Sequence, residues 1–279
     1  EQMQALEHQT ATFGTPIETL TQNAGLAVAQ SAARELNGAS HKRIVVLVGP
    51  GQNGSDGLIA ARHLHAWGAI VLAYVCLPNK TVNSGIADAQ EVGVTVTNTI
   101  EDPEHNLLGT SLGNADLVID AILGASKIRA LREPLTSLLT QTRDAQRARP
   151  GLMVMAVDVP TGLNADTGAL DPNAILASFT LALGHPKKGL FLFPGITAVG
   201  RLNVADIGIV DHPEINYPIG LMTGPRVQQE LPQRPSTAHK GTFGRALAIA
   251  GSRNYVGAAA LACTAAARSG AGLVTLATP

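Results

Sequence analysis

Residues 49–58 have the sequence GPGQNGSDGL, and this stretch decides how the rest of the chain is interpreted. It follows the apolar run Ile44–Val48 and precedes Leu58–Trp67, whose apolar spacing predicts a helix. A glycine-rich turn between a buried strand and a helix is typical of parallel α/β sheets, which bind ligands at the carboxyl ends of their strands. The first six residues match the dinucleotide pattern G-x-G-x-x-G, but Ser55, Asp56 and Gly57 follow before the predicted helix.

Apolar runs and amphipathic segments alternate along the first 210 residues, which predicts an α/β fold with right-handed crossovers. The runs are almost continuously apolar, as expected for strands covered on both faces. We therefore expect a three-layer αβα, Rossmann-like sheet. The predicted strands are Arg43–Val48, Ile70–Cys76, Leu117–Ile122, Leu152–Val157, Ser178–Leu183 and Leu202–Ala205. The predicted helices are Pro16–Leu36, Leu58–Trp67, Gly85–Glu91 and Leu135–Ala148.

The composition favours a folded, nearly neutral protein. Hydrophobic residues make up 45% of the chain and charged residues 15%, which disfavours disorder, and the net charge of -1 gives no basic surface for nucleic acid. No apolar run reaches the length of a membrane span, and the first residues lack the features of a signal peptide. Cys76 and Cys263 lack metal-ligand spacing, which suits a reducing compartment. We expect a soluble, cytoplasmic protein with no nucleic-acid or membrane partner.

The periodic pattern changes after residue 210, which predicts a domain boundary. Residues 211–238 are rich in proline and polar residues and are interpreted as a linker. Residues 239–279 then predict a strand, a helix and a second strand, with strands at Ala246–Ala250 and Gly272–Ala277. So short a unit cannot bury a core of its own. We predict a domain over 1–210, the linker, and an incomplete fragment over 239–279.

Polar residues and glycines follow three of the predicted strands, at Gly49–Gly57, Asp120–Ala125 and Asp158–Asn164. The carboxyl ends of parallel strands meet at one edge of a sheet, so these clusters are expected to share one ligand site.

Three interpretations of the first cluster are open. A hydride-transfer Rossmann turn requires an acidic residue at the end of the second strand, and AYVCLPNKTVNS contains none. Asp56 could instead be the N-cap of the following helix. The third interpretation is a ligand loop, because Gln52 and Asn53 add amide oxygens between glycines that permit close backbone approach.

Several long motifs together resemble one family, the NAD(P)HX epimerase domain. They are TQNAGLAVA, GPGQNGSDGLIAARHL, DAILGASKIRALREPL, VDVPTGLNADTG and LALGHPKKGLFLFPG followed by GRLNVADIGI. The stretch HKGTFGRALAIAGS, with GAAALACTAAARSGAGLVTLATP, resembles the opening of the ribokinase-like, ADP- or ATP-dependent dehydratase to which that domain is fused in many bacteria. The resemblance implies an isomerase for metabolite repair, which interconverts the two C6 epimers of hydrated NADH and NADPH. It also implies a bound potassium ion and a homo-oligomer.

The resemblance implies roles for individual residues. Asp158 falls on the family's substrate-contacting aspartate, and we expect it to act as the catalytic acid–base group. A structural turn before Pro160 is the alternative interpretation of Asp158. The expected potassium ligands are Asn53, Asp120 and Thr161. The expected substrate-binding residues are Gln52, Asn53, Gly54, Ser55, Asp56, Gly124, Ala125, Ser126, Lys127, Ile128, Arg129, Ala130 and Asp158.

Some positions depart from the family pattern. Gln52 and Ser55 replace an asparagine and a glycine, and a positive φ at Ser55 would be strained. Ala125 and Ser126 replace a Thr-Gly pair, which could reshape the second substrate segment. Lys187 is interpreted either as a phosphate contact or as part of a solvated turn.

Two other functions compete with the epimerase. The same fold could be a non-catalytic nucleotide-binding or scaffold module, although three carboxylates at one sheet edge disfavour it. A ribokinase-type kinase would depend on residues 239–279, and the family's dehydratase active site, with its nucleotide segments, is expected to lie outside this sequence. Dehydratase (lyase) activity is therefore not expected from these residues alone.

Overall fold

Seven parallel strands form one sheet, with the spatial order β3-β2-β1-β4-β5-β6-β7. The structure is a computed structural model that describes residues 2–77, 80–125, 130–210 and 219–279, with the backbone only for residues 2, 4 and 80–84. The sheet and its helices belong to one compact unit, Glu1–Asn216, and Tyr217–Pro279 forms a second. The strands of the sheet are β1 Arg43–Val48, β2 Ile70–Val75, β3 Thr95–Asn98, β4 Leu117–Ala121, β5 Met153–Val157, β6 Phe179–Leu183 and β7 Arg201–Ala205. Its helices are α1 Gln2–Thr12, α2 Ile17–Glu35, α3 Gln52–Ala66, α4 Lys80–Glu91, α5 Asn106–Asn114 and α6 Leu135–Ala148.

Helices cover both faces of the sheet, so the predicted three-layer αβα architecture is confirmed. One core packs alternate side chains of β1, such as Val46, against α2 and α3. The other packs the intervening side chains, such as Leu47, against α5 and α6. Because both faces of β1 are buried, five consecutive residues of this strand are apolar, as in other doubly covered parallel sheets.

The strand order reverses between β1 and β4, which are neighbours although β2 and β3 lie between them in sequence. The crossovers from β1 and from β4 therefore leave toward opposite sides, and a crevice opens at the carboxyl ends of these two strands. Residue Val48 of β1 is paired with Ala121 of β4 at this end. The first and second polar clusters of the sequence follow directly from these two strands.

The sequence predicted six strands and four helices in the first unit. The structure adds one strand and two α-helices, and also two short 3₁₀ helices, Lys188–Phe191 and Gly195–Ala198. Strand β3 has the polar sequence TVTN and lies at the edge of the sheet, so it has no apolar run. Helices α1 and α5 were not predicted, because α1 has few apolar residues and α5 contains two glycines. Helix α3 begins six residues earlier than predicted, and α4 begins five residues earlier. The bounds of the other predicted elements differ from the observed ones by a few residues at most.

The second unit contains a parallel strand pair and two helices. Its elements are α7 Gly224–Glu230, β8 Arg245–Ile249, α8 Gly257–Ser269 and β9 Leu273–Ala277. Helix α7 lies within the segment predicted to be a linker. Among residues 219–279, Ala259 is the one residue classed as buried, so the apolar side chains of this unit are largely exposed. Throughout the described parts of the chain, every helix is too short or too polar to span a bilayer.

Candidate functional site

The turn after β1 is shorter than the sequence predicted. Gly51 has extended backbone and is the N-cap residue of α3, which begins at Gln52. Residues 52–56 therefore form the first turns of a helix, and the prediction that they form a loop was wrong. Asp56 lies inside the helix, so its interpretation as the N-cap is also wrong. Ser55 is helical and is not among the residues with positive φ, so the strain considered for it does not arise.

Three glycines of this segment permit close packing rather than unusual turns. A Cβ atom added to Gly49 would lie 1.8 Å from the carbonyl oxygen of Ile122, and one added to Gly54 would lie 2.0 Å from that of Gly49. At Gly57 an added Cβ would lie 2.5 Å from Cβ of Ala121. The start of α3 is thus pressed against the ends of β1 and β4. A Cβ at Gly51 would meet nothing within 4 Å, so open space lies beside the helix N-terminus at this residue.

The polar side chains of the first turns of α3 differ in exposure. Gln52 is exposed, and its Nε2 donates a hydrogen bond of 2.7 Å to Oγ1 of Thr21 on α2. Asn53 and Asp56 are buried. Nδ2 of Asn53 and Oδ1 of Asp56 have no hydrogen-bond partner among the described residues. An unpaired buried polar atom is costly, so these two atoms are candidates to contact a water or a bound molecule.

Asp120 is the next-to-last residue of β4, is fully buried, and joins this strand to the turn after β5. Its Oδ2 accepts a hydrogen bond of 2.8 Å from the backbone N–H of Thr161, and its Oδ1 accepts one of 2.7 Å from Thr161 Oγ1. Burial raises the pKa of Asp120 to about 6, and the hydrogen bonds from Thr161 and Ile122 oppose that rise. Among the described residues, no cationic side chain pairs with this carboxylate.

Asn53 and Gly124 lie in contact at the same edge of the sheet. A Cβ at Gly124 would be 3.4 Å from Oδ1 of Asn53. The backbone N–H of Leu123 donates to Oγ1 of Thr161 at 3.1 Å. The sites predicted at the ends of β1, β4 and β5 are therefore neighbours, and the oxygen-bearing side chains of Asn53, Asp120 and Thr161 belong to one region.

Asp158 follows β5 and has a left-handed backbone conformation, with φ of 65°. Its side chain is nearly buried and is turned toward the end of β6. The backbone N–H of Leu183 donates to Asp158 Oδ1 at 3.2 Å, and Nζ of Lys187 forms an ion pair with the same oxygen. The ammonium also donates to the carbonyl oxygen of Leu183 at 2.9 Å. These partners lie far along the chain, which does not match a local turn before Pro160.

Asp56, Asp158 and Glu7 interact electrostatically around Lys187. Burial raises the pKa of Asp56 well above its ordinary value, the carboxylates of Asp158 and Glu7 raise it further, and Lys187 lowers it. Burial also raises the pKa of Glu7, which Lys187 lowers and Asp158 raises. Asp56, Asp158 and Glu7 thus act on one another and on Lys187, and burial is the main cause that disfavours the charged form of Asp56.

The three acidic residues of the predicted shared site divide into two groups at one sheet edge. Asp56 and Asp158 belong to the cluster around Lys187, whereas Asp120 is hydrogen-bonded to Thr161. Sequence reasoning missed Glu7, whose only signal was that it is the one acidic residue of α1. It also left Lys187 between a phosphate contact and a solvated turn, and the buried ion pair excludes the solvated turn.

The second substrate segment is described only at its ends. Gly124 lies beside Asn53, and Ala125 and Ala130 are exposed. Ser126, Lys127, Ile128 and Arg129 lie outside the described residues. The backbone N–H of Leu131, the next residue, donates to Oδ2 of Asp171 at 3.0 Å. The roles expected for this segment remain predictions.

Comparison with solved structures identifies the same fold. The crystal structure of the yeast protein YNL200c matches with a TM-score of 0.59 and 23% sequence identity, over 73% of this chain and 86% of that chain. At this identity the likeness shows the fold alone.

Comparison of sequences identifies relatives and a family. The bifunctional NAD(P)H-hydrate repair enzyme of Moorella thermoacetica is 36% identical over 271 residues, which is 95% of this chain and 50% of that protein. The enzyme of the same name from Thermofilum pendens is 35% identical over 277 residues, again 95% of this chain and 50% of that protein. The chain spans about half the length of these relatives. Residues 17–189 match the family described as YjeF-related protein N-terminus, and the chain therefore belongs to this family.

Proposed function

We propose that the chain is an NAD(P)H-hydrate epimerase, an isomerase that interconverts the R and S epimers at C6 of hydrated NADH and NADPH. The observation that supports it most directly is the Asp158 carboxylate, nearly buried at the carboxyl end of β5 and bound through one oxygen to Leu183 and Lys187. The relatives that match almost the whole chain are named for repair of NAD(P)H hydrate. The two findings together favour acid–base chemistry on that substrate class.

The chemistry requires reversible proton transfer at the oxygen on C6. That carbon bears both a ring nitrogen and a hydroxyl group in the hydrate. Either loss of the hydroxyl or opening of the ring makes C6 planar, and re-addition from the other face inverts it. Asp158 is the group proposed to exchange a proton with this oxygen, and a positioned carboxyl group contributes about 10²- to 10⁴-fold to such a step.

The dinucleotide is proposed to bind along the crevice at the ends of β1 and β4. Open space beside Gly51 and the N–H groups of the first turn of α3 suit a phosphate, because a helix N-terminus attracts anions. In this proposal residues 52–56 contact the substrate from one side, and Gly124–Ala130 contact it from the other. Asp158 then lies near the nicotinamide end.

A potassium ion is proposed at Asn53, Asp120 and Thr161. The donor set fits, because amide, carboxylate and hydroxyl oxygens are ligands for a hard cation. Asp120 is a fully buried carboxylate whose described partners are N–H and O–H donors only. Oγ1 of Thr161 donates one hydrogen bond and accepts one, which leaves a lone pair. When bound, the ion would supply positive charge that offsets Asp120 and the phosphates of the dinucleotide.

The test of the function is Asp158→Asn, assayed with one purified epimer of NADHX or NADPHX. We expect epimer exchange to fall by about 10²- to 10⁴-fold toward the spontaneous rate, since the amide cannot exchange the proton. Asparagine tolerates the left-handed backbone, so the fold is expected to persist. Asp166→Asn, at an exposed aspartate, is the matched control. Exchange at the wild-type rate by the Asp158 variant contradicts the role of Asp158. No exchange by the wild-type protein contradicts the epimerase function and favours the scaffold alternative.

The remaining expectations are part of the same proposal. Residues 239–279 are proposed to belong to an ADP- or ATP-dependent dehydratase, since the matched relatives are named as bifunctional. A homo-oligomer in the cytoplasm is proposed from the family resemblance. The preference between NADHX and NADPHX is measured in the assay above by comparing kcat/KM for the two substrates.

A further inference from the structure

Lys187 is a buried cation next to an exposed one. Its side chain is 10% exposed, whereas the adjacent Lys188 lies at the surface. Removing an ammonium from water is costly unless it is paired and hydrogen-bonded. Lys187 meets that requirement with two partners, the carboxylate of Asp158 and the carbonyl oxygen of Leu183 at 2.9 Å. The folded chain therefore holds this ammonium in one place.

The ion pair distinguishes the two oxygens of Asp158. Oδ1 accepts from both Lys187 Nζ and the backbone N–H of Leu183. Within the part of the chain that the structure describes, no hydrogen bond reaches Oδ2. Two donors on one oxygen fix the plane of the carboxylate and leave the second oxygen available. Oδ2 is thus the atom suited to exchange a proton with a bound molecule.

The charges around Asp158 make the lysine more than a packing residue. Glu7 on α1 and Asp56 on α3 are the described carboxylates that interact with this group. Lys187 acts on both of them, and His8 acts on Glu7 as well. Lys187 contacts Asp158, so the cation acts most strongly on that carboxylate.

We propose that Lys187 is a positioning residue for the epimerisation, which holds Asp158 Oδ1 so that Oδ2 exchanges the proton with the substrate. The inference rests on the proposed function and deepens it. In ring opening, Oδ2 accepts the proton of the C6 hydroxyl, the C6–O bond becomes a carbonyl, and the C6–N1 bond breaks with its electron pair going to the ring nitrogen. In closure the nitrogen attacks the other face of that carbonyl, and Oδ2 returns the proton to the oxygen. Lys187 itself neither gives nor takes a proton.

The experiment compares Lys187→Met, Lys187→Arg and Lys188→Met in the same assay over a range of pH. For Lys187→Met we expect kcat to fall by about 10- to 100-fold, the size of the effect when a partner that orients a metal ligand is removed, with KM unchanged. The limb of the pH–rate profile on the acidic side should move to higher pH, because the ionised carboxylate has lost its cation. Lys187→Arg should restore part of kcat and move the limb back. Lys188→Met should match the wild-type protein.

Other outcomes overturn the inference. A rise in KM with kcat unchanged would mean that Lys187 binds a phosphate of the substrate. A loss of kcat with the acidic limb in place, and no recovery with arginine, would mean a structural role only. No epimer exchange by the wild-type protein would instead remove the proposed function, and an unchanged rate in Asp158→Asn would remove the role of Asp158, so these failures are distinguishable.

A second variant, Glu7→Gln, tests the same arrangement of charges if Lys187→Met fails to fold. Glu7→Gln removes a negative neighbour and keeps the ion pair of Asp158 with Lys187. Its acidic limb should move to lower pH, opposite to that of Lys187→Met, with the unfolding transition monitored by circular dichroism. A shift of the Glu7→Gln limb to higher pH, or no shift, contradicts the charge arrangement on which the inference rests.

Discussion

The residue at position 158 must meet two requirements. Its backbone is left-handed, and its carboxylate is paired with a lysine that is distant in sequence. Aspartate and asparagine adopt this backbone conformation more readily than most residues with a side chain. Glycine would adopt it with less strain but has no carboxylate. The residue type at 158 therefore satisfies the backbone and the chemistry together, which glutamate, with its longer side chain, would not.

The raised pKa of Asp56 makes stability depend on pH. The folded state binds this proton more tightly than the unfolded state, so the contribution to stability is complete below the ordinary value of 3.8 and is lost as pH rises through the folded pKa. Asp56→Asn cannot ionise. We expect the variant to match the wild-type protein in free energy of unfolding near pH 4 and to exceed it increasingly above that.

Urea denaturation at several pH values measures the difference. Asp166→Asn, at the surface, is the control and should change the free energy of unfolding by less than about 0.5 kcal/mol. If the advantage of Asp56→Asn is the same at every pH, the buried ionisable carboxylate is not its cause.

If potassium binds at Asp120, as proposed, it should raise the thermal stability of the protein. A cation that binds the folded state raises the melting temperature by mass action, by about 2–4 °C for each kcal/mol in a domain of this size. We expect potassium chloride to raise the melting temperature of the wild-type protein above that in tetramethylammonium chloride at equal ionic strength. Asp120→Asn should lose most of the difference. An equal response in both proteins would place the ion elsewhere.

At the scale of the element, the N-terminus of α3 depends on its glycines. Gly54→Ala would place a Cβ 2.0 Å from a backbone oxygen of Gly49, and such overpacking costs about 1–3 kcal/mol. In α5, a Cβ at Gly113 meets nothing within 4 Å, so Gly113→Ala should stabilise the protein by up to about 1 kcal/mol through helix propensity. Chemical denaturation of both variants measures these opposite signs. Stabilisation by Gly54→Ala would mean that α3 is not pressed against β1.

The central elements could be predicted from the sequence because their patterns are local. Val46 and Leu47 pack on opposite faces of β1, so the strand is apolar at every position, and its bounds were predicted correctly. The start of α3 could not be predicted, because the glycines that usually mark a turn serve packing here. The interpretation of Gly54 depends on where the backbone of Gly49 lies.

The candidate site was predictable where its residues follow strands and not where they come from elsewhere. Asp56, Asp120 and Asp158 were named from the clusters after β1, β4 and β5. Glu7 lies on a helix with little amphipathic pattern, and Lys187 follows β6 with a second lysine beside it. Whether either faces the solvent or the sheet edge depends on tertiary packing that the sequence does not express locally.

At the scale of the whole molecule, the two units differ in how much they bury. Glu1–Asn216 contains three apolar clusters, whereas the described part of Tyr217–Pro279 has one buried residue, Ala259. All the described groups assigned to the proposed site belong to the first unit. The activity proposed here should therefore not depend on the second unit.

A chain ending at residue 216 tests this separation. We expect it to show the same kcat/KM for epimer exchange as the whole chain, and a cooperative thermal unfolding transition, since its cores are its own. Circular dichroism and the epimer assay measure the two properties. A shortened chain that folds but exchanges epimers more slowly would mean that the second unit contributes to the site.

The electrostatic interaction between Glu7 of α1 and Lys187, which follows β6, has a consequence for biosynthesis. Glu7 and Lys187 are 180 positions apart in the chain. At typical rates of translation the ribosome needs about ten to forty seconds to make the residues between them. Through most of that interval the nascent chain holds Glu7 and Asp56 but neither Asp158 nor the lysine that opposes their repulsion. The crevice can therefore acquire its final charge arrangement only late in synthesis, after the middle of the sheet has been made.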